Sequence, residues 1–431
     1  MSTLTIFSSV PAQADSPEQP APGSRTVPTV LGGDLEVPLK DGRTVHYANL
    51  DYAASAPCLE PVSAAVNAAL PAYSSVHRGA GYASQLTTAR YEQARHSVRA
   101  FAGARSDDAV IFTRNTTDAT NLLAGCLPAG TTAVVFDSEH HASLLPWDDV
   151  VRLAPPAFPG EAVRAADSAL AGIAGPKLLV VTAASNVTGE LWPIAALAHI
   201  AHRHGARILV DAAQLVPHRQ LNVAALDLDY VAFSGHKLYA PFGAGVLIGR
   251  RDWLAAGEPY LKGGGAVKAV GADGIEWHED PEPRHEAGTP NVLGAIALAA
   301  ACDALAATGW APLVIEEERL IARLRDGLAT VDAVHELSLW GPDHPRVGIV
   351  SFVVDGYSAR EVAEALSNEY GIGVRDGKFC AHPFVSHLLG AVADGGCEDG
   401  RVAAVRASIG IGTTDEHVDR LVEALRELVS R

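Results

Sequence analysis

The sequence predicts an α/β protein, with a large domain built on a mainly parallel sheet between helices and a smaller α+β domain at the carboxyl end. Three observations carry that expectation. Apolar runs of strand length recur between residues 60 and 295, helical patterns separate several of them, and the character of the chain changes after residue 310. Residues 1–30, rich in Pro, Ser and Ala without periodicity, are expected to form a flexible tail, and 31–60 an arm that joins the small domain. Residues 61–300 are then the large domain and 301–431 the small one.

Within the large domain the strand candidates are Ala109–Thr113, 132–137, Lys177–Thr182, Arg207–Asp211, Tyr230–Ser234 and Gly245–Gly249. Each is almost wholly apolar, which is what a strand covered on both faces requires. A helical pattern over 193–204 ends at Gly205, a natural C-cap. The Ala-rich stretch 292–307 is interrupted by Gly294 and Asp303 and reads as a packed helix, too short and too broken for a membrane span. Beyond it come an amphipathic helix (313–330), a strand (347–354), a helix (Ala359–Tyr370) and a final helix from Asp415.

Composition narrows the function. The chain has 431 residues, 48% of them hydrophobic and 19% charged, which suits a soluble enzyme with a sizeable core. A net charge of −17 argues against nucleic acid and anionic membrane as main partners. The five cysteines (Cys58, Cys126, Cys302, Cys380, Cys397) show neither C-x-x-C nor zinc spacing, so reduced thiols, no metal site and a cytoplasmic location are expected. The start, "MSTLTIFSSVPAQADS", has an Ala-Gln-Ala triplet but no basic region and no unbroken apolar stretch, unlike a signal peptide.

In an open parallel sheet, ligands bind outside the carboxyl ends of the strands. Here those ends are polar: Thr113–Asp118, Asp137–Ala142, Ser185–Gly189, Asp211–Gln214 and Ser234–Lys237. Loop lysines are ordinarily solvated, yet Lys237 sits between two buried strands, beside hydroxyls, a carboxylate and a histidine. That set suits pyridoxal phosphate, which needs a lysine amine for a Schiff base, an acid for its pyridine nitrogen and donors for its phosphate. Lys237 supplies the first and Asp211 the second. Thr116 and Thr117 open a helix whose N–H groups and hydroxyls suit a phosphate, with Ser234 and His236 adding donors. His140 is placed to stack on the ring and Gln214 to bond its hydroxyl.

Three other motifs fail on context. Ser234-x-x-Lys237 resembles the S-x-x-K of penicillin-binding enzymes, but a strand and Gly235 precede the lysine and no S-D-N or K-T-G follows. "GAGVLIG" has the wrong glycine spacing for a dinucleotide site and continues as strand. His199 and His202 lie three apart on a helix, with no carboxylate partner evident in the sequence.

From Tyr47 to near the carboxyl end the chain resembles the class V aminotransferase-like pyridoxal phosphate enzymes, specifically the cysteine desulfurase and selenocysteine lyase group (SufS-like). The resemblance rests on "NLDYAASAP" (49–57), "VHRGAGYAS" (76–84), "TRNTTDATNL" (113–122), "EHHASLLPW" (139–147), "SNVTGE" (185–190), "VDAAQ" (210–214), "SGHKLYAP" (234–241), "EAGTPN" (286–291), "GIGVRDGKFCAHP" (371–383) and "VRASIGIGTT" (405–414). It implies the fold type I transferase architecture, with Lys237 as the Schiff-base lysine, Asp211 as ring-nitrogen partner and His140 as stacking residue. Thr117, Gln214, Ser234 and His236 would hold the cofactor, with Thr289 as a phosphate ligand from the second subunit of a homodimer. Arg406 would grip the substrate carboxylate by bidentate pairing, with Asn186, His77 and Arg375 as further pocket residues.

The same resemblance makes Cys380 the nucleophile. Cations lower a thiol's pKa, and Arg375, Lys378 and His382 stand near it in sequence. The implied substrate is L-cysteine or a related small amino acid, and the implied reaction converts L-cysteine to L-alanine with a persulfide left on Cys380 for a sulfur-acceptor protein. The chain also departs from the family pattern: Asn115 stands where a glycine is frequent, Lys378-Phe379 replaces a His pair, "VDAAQ" lacks the usual glycine, and 384–400 is long. These departures keep open another class V reaction (epimerase, C–S or selenocysteine lyase, aminotransferase) and, less readily, a non-catalytic binding protein.

Overall fold

The computed structural model describes residues 27–394 and 402–431. Most of the expected tail, Cys397 and the end of the 384–400 stretch lie outside those residues.

A seven-stranded sheet runs in the order Ala109–Thr113, Gly245–Gly249, Tyr230–Ser234, Arg207–Asp211, Lys177–Thr182, Thr132–Phe136, Val150–Leu153. All neighbours pair in parallel except Gly245–Gly249, which is antiparallel to both of its neighbours. Alternate residues face opposite cores. Val134, Leu179, Val181, Ile208, Val210 and Phe233 join one cluster, and Ala133, Val135, Leu178, Val180, Leu209 and Ala232 the other. Both faces are dry, which is why the strands read as unbroken apolar runs rather than as alternation.

Helix 313–330 of the sequence reading is Trp310–Leu328, and 193–204 is Ile194–Arg203, shifts of the size usual at helix ends. The helix Val292–Thr308 packs its Ala-rich surface against Tyr82–Phe101 and the large core. No single helix among the described residues is long and apolar enough to cross a membrane.

A second sheet, antiparallel, has the order Val334–Leu337, Ile349–Val354, Ala404–Ser408, Arg375–Gly377. Val350, Phe352, Val354, Val405 and Ala407 pack from it against the helices Trp310–Leu328, Ala359–Tyr370 and Asp415–Val429. Ala359–Tyr370 opens on a Ser358–Glu361 capping box and stops at Gly371, whose φ of 66° is the left-handed C-cap geometry. Near the amino end, Ala48–Asn49 pairs in parallel with Ile372–Gly373, and Ala48 and Leu50 are buried in this same cluster.

The turn Ser185–Glu190 joins the two cores. Fully buried Glu190 accepts from Ser338 Oγ (2.7 Å), Trp340 N (2.8 Å) and Thr188 Oγ1 (2.6 Å), and Val187 packs with Phe379 and Phe384. A carboxylate out of water is tolerated only with this density of donors. It fixes the neighbouring Asn186 relative to the small domain.

Candidate active site

A cavity of about 440 Å³ opens at the carboxyl ends of the parallel strands, where the small domain closes over the large one. Asn115, Thr116 and Thr117 reach it from the end of Ala109–Thr113, and His140 from beyond the end of Thr132–Phe136. Asn186, Asp211 with Gln214, and Ser234 with His236 and Lys237 follow, while Arg375, Cys380 and Arg406 come from the small domain. Two expected residues are elsewhere. His77 is exposed and bonded through Nε2 to Glu92 Oε1 (2.8 Å), and Thr289 is exposed on the loop before helix Val292–Thr308. Neither lines this cavity within the single chain.

Asp211, the last residue of its strand, is buried and held by Ser143 Oγ (2.9 Å) and by the N–H of Ala213 (3.0 Å). His140 caps the short helix His141–Leu144, its Nδ1 accepting from Ala142 N (3.0 Å). That bond places the ring proton on Nε2. Burial, then the neighbouring Lys237 charge, pulls His140 down to about 4, against an opposing pull from Asp211. It is therefore a neutral ring at physiological pH.

Lys237 lies in the turn after Ser234. Gly235 is required there, because an added Cβ would stand 2.7 Å from the Ala244 carbonyl oxygen. Burial pulls the Lys237 ammonium down to about 8; Asp211 opposes the shift and Arg406 adds to it. His236 beside it is likewise lowered to about 4 by burial and then by Lys237. The helix Thr116–Ala124 begins under Asn115, whose side chain accepts from Asp118 N (3.0 Å). Thr116 N and Thr116 Oγ1 both meet Ser234 Oγ, at 2.8 and 2.7 Å. Hydroxyls and helix N–H groups thus converge where an anion is welcome.

On the opposite wall, Arg406 is buried. Its Nη1 donates to Asn186 O (2.9 Å), its Nη2 reaches Asp51 Oδ1 (3.3 Å), and its Nε has no partner. Phe379 lies over the guanidinium, 5.0 Å from ring centroid to Cζ. Burial lowers the Arg406 pKa, and it raises that of Asp51 despite Arg406 beside it. Cys380 is exposed to the cavity, in a tight turn where Phe379 (φ 50°) and Cys380 (φ 54°) are both left-handed. Of the cations that sequence proximity suggests, Arg375 and Lys378 line the cavity with Cys380. Lys378 Nζ donates to Ser386 Oγ (3.2 Å) and the His382 ring stands edge-on to His141, while Lys237 and Arg406 line the cavity together with Cys380.

Pyridoxal phosphate fits the residues present. Gln214 donates to Ala53 O (2.9 Å) but leaves Oε1 buried and unpartnered, and the volume lies in the range of small-ligand pockets. The residues not singled out from sequence are Asp51, Ser143, His141 and Phe379. All four lie inside motif stretches already named, but each acts through a partner remote in the chain. His202, read as lacking a carboxylate, in fact meets Asp229 Oδ2 at 2.8 Å, far from this cavity.

The family model for class-V aminotransferases matches residues 48–421. The chain belongs to the class V aminotransferase family. Similar curated proteins include a cysteine desulfurase of Klebsiella pneumoniae (strain 342), 37% identical over 88% of this chain and 93% of that protein. A probable cysteine desulfurase of Halobacterium salinarum is 36% identical, over 91% and 94%. Among solved structures, the apo cysteine desulfurase of Thermococcus onnurineus NA1 superposes with a TM-score of 0.80 at 32% identity, covering 89% of this chain and 95% of that one. The cysteine desulfurase CsdA of Escherichia coli, in an S-sulfonic acid form, gives 0.75 at 33% identity, with the same coverage. This class V chain therefore has the fold type I architecture, and its family and the cysteine desulfurases are pyridoxal phosphate enzymes.

Proposed function

We propose that the protein is a pyridoxal phosphate-dependent cysteine desulfurase that converts L-cysteine to L-alanine and holds the sulfur as a persulfide on Cys380. The observation that carries the reading is the sharing of one cavity by Lys237, Arg406 and Cys380. The likeness to cysteine desulfurases over nine-tenths of the chain supports it. Bound cofactor supplies a carbonyl for an amine and a ring that stores an electron pair.

The chain's own groups do the rest. Thr116, Thr117, Ser234 and His236 would hold the phosphate, with Thr289 of a second copy in a homodimer. Asp211 would pair with the ring nitrogen of the bound cofactor and keep it protonated, and His140, a neutral imidazole, would lie against the ring. Arg406 offers its unpartnered Nε, with Nη2, to the substrate carboxylate; Asn186 and Arg375 border it. Lys237, titrating near 8, can take and return a proton at the substrate α-carbon near neutral pH.

The Cys380 thiolate bonds to the substrate sulfur as the carbon–sulfur bond breaks. The electron pair stays with the carbon fragment, and protonation there completes alanine. Cysteine plus thiol thus gives alanine plus persulfide, with no external oxidant. The reading includes a reduced cytoplasmic setting and a thiol-bearing acceptor protein for the persulfide sulfur.

The test is an assay of alanine and sulfide from L-cysteine in the parent and in Cys380→Ala. The variant should keep cofactor but lose sulfur transfer by orders of magnitude, since covalent catalysis is removed. Mass spectrometry after one turnover should find one added sulfur on the Cys380 peptide of the parent. Turnover of cysteine by the variant at the parent rate would transfer the site to another class V reaction.

A further inference from the structure

The turn that carries Cys380 is held in a costly shape. It spans Lys378–Ala381, between the edge strand Arg375–Gly377 and the helix His382–Asp394, and is closed by Ala381 N donating to Lys378 O (2.8 Å). Both central residues have positive φ, a geometry that glycine, asparagine and aspartate favour and that phenylalanine and cysteine disfavour. Such a conformation persists only where its surroundings over-determine it. Two carbonyls of the turn are caught from the large domain. Phe379 O accepts from Asn186 Nδ2 (2.8 Å), and Cys380 O accepts from the backbone N–H of His141 (2.8 Å).

A third tie uses a side chain. The N–H of His382 donates to His141 Nε2 at 3.3 Å, and the two imidazoles meet edge to face with centroids 4.5 Å apart. His382 is the first residue of its helix, and the first N–H groups of a helix have no partner within it. His141 thus acts as an N-cap supplied across the domain junction, two residues from the thiol. The accepting Nε2 makes His141 a neutral ring with its proton on Nδ1, and burial and the adjacent His382 both favour that neutral form.

We propose that His141 is a positioning residue for Cys380. Its backbone holds the Cys380 carbonyl, and its ring fixes the start of the following helix, so that the left-handed turn presents the thiol to the cavity. His141 touches neither the reacting carbon nor the cofactor pocket. The proposal rests on the desulfurase reading, and the test separates the two.

Holoenzymes of the parent, His141→Ala, His141→Gln and Cys380→Ala are compared. Two rates are measured with L-cysteine: persulfide formation in a single turnover, and exchange of the substrate α-hydrogen with solvent deuterium. His141→Ala should lose about 10- to 100-fold in persulfide formation, the cost of misplacing a reacting group by about 1 Å. Its α-hydrogen exchange, its KM for cysteine and its visible cofactor band should match the parent's. His141→Gln, which keeps an acceptor, should recover a substantial part of the lost rate. An alanine variant at the parent persulfide rate would overturn the proposal, as would parallel loss of both rates, or a glutamine variant no better than alanine. Failure of the desulfurase reading looks different: Cys380→Ala would then release sulfur from cysteine as fast as the parent, whatever the His141 variants do.

Discussion

An amine pulled down to about 8 from its ordinary 10.5 affects stability as well as reactivity. In the unfolded chain Lys237 keeps its proton to a higher pH than in the folded one. Folding is therefore penalised fully below about pH 8, and the penalty fades between 8 and 10.5. Lys237→Met removes it, so the cofactor-free variant should melt roughly 2–4 °C above the cofactor-free parent at pH 7. The gap should close as the pH rises toward 10.5, as followed by thermal melts across that range. An unchanged or lower melting temperature at pH 7 would mean that the amine is solvated rather than buried. Lys237 and Asp211 were legible in the sequence because Asp211 ends an apolar run and Lys237 stands in the turn between two, where a charged side chain is conspicuous. Asp51, Ser143 and His141 were not, because each matters only through a residue far along the chain. Asp51 and Arg406 are 355 residues apart, and Ser143 and Asp211 are 68 apart. Spacing rules for helices and strands do not reach across such distances.

Element by element, the strands buried on both faces were readable almost to the residue, since nothing but a polar end interrupts them. Their direction was not, because an antiparallel strand inside a covered sheet has the same composition as its neighbours, as Gly245–Gly249 does. The half-exposed edge strand Val150–Leu153 and the exposed hairpin Val267–Gly271 with Gly274–Trp277 gave no apolar run to detect. The reversed strand has a consequence for the cavity. Its first residue, Gly245, lies against the start of helix Thr116–Ala124, and an added Cβ would stand 2.6 Å from Asn115 Cα and 2.9 Å from Phe233 O. Both are backbone atoms and cannot rotate away. Gly245→Ala must displace the helix start that carries Thr116 and Thr117, at a cost of about 1–3 kcal/mol. Titration of the cofactor-free variant with pyridoxal phosphate should show affinity weakened by about tenfold or more, with far-ultraviolet dichroism unchanged. Parent-like affinity would remove the helix start from phosphate binding.

For the whole molecule the open question is where Thr289 acts. Its loop is anchored at both ends. Glu286 is bonded by Arg95 Nη1 (2.8 Å), Tyr91 OH (2.8 Å) and Phe112 N (2.7 Å), and Asn291 Nδ2 donates to Phe242 O (2.7 Å). Between these anchors Thr289 is exposed and absent from the wall of its own cavity. Held at both ends in this way, Thr289 stays off the wall of its own cavity, and on the proposed reading it serves the phosphate site of a second copy. That arrangement predicts complementation between two defective chains. Lys237→Ala lacks the amine, and Thr289→Glu places a carboxylate against the phosphate, so each homodimer should be nearly inactive. In the mixed dimer one cavity combines the intact Lys237 of the second variant with the intact Thr289 of the first, while the other cavity carries both defects. Mixing the two chains under conditions that exchange subunits should therefore restore desulfurase activity, approaching one quarter of the parent value at equal amounts if pairing is random. Were Thr289 to serve its own chain, every cavity in the mixture would keep one defect and no activity would return. Recovery on mixing, with the mixed species seen by native mass spectrometry, makes the second copy part of the site; its absence would leave Thr116, Thr117, Ser234 and His236 to hold the phosphate alone.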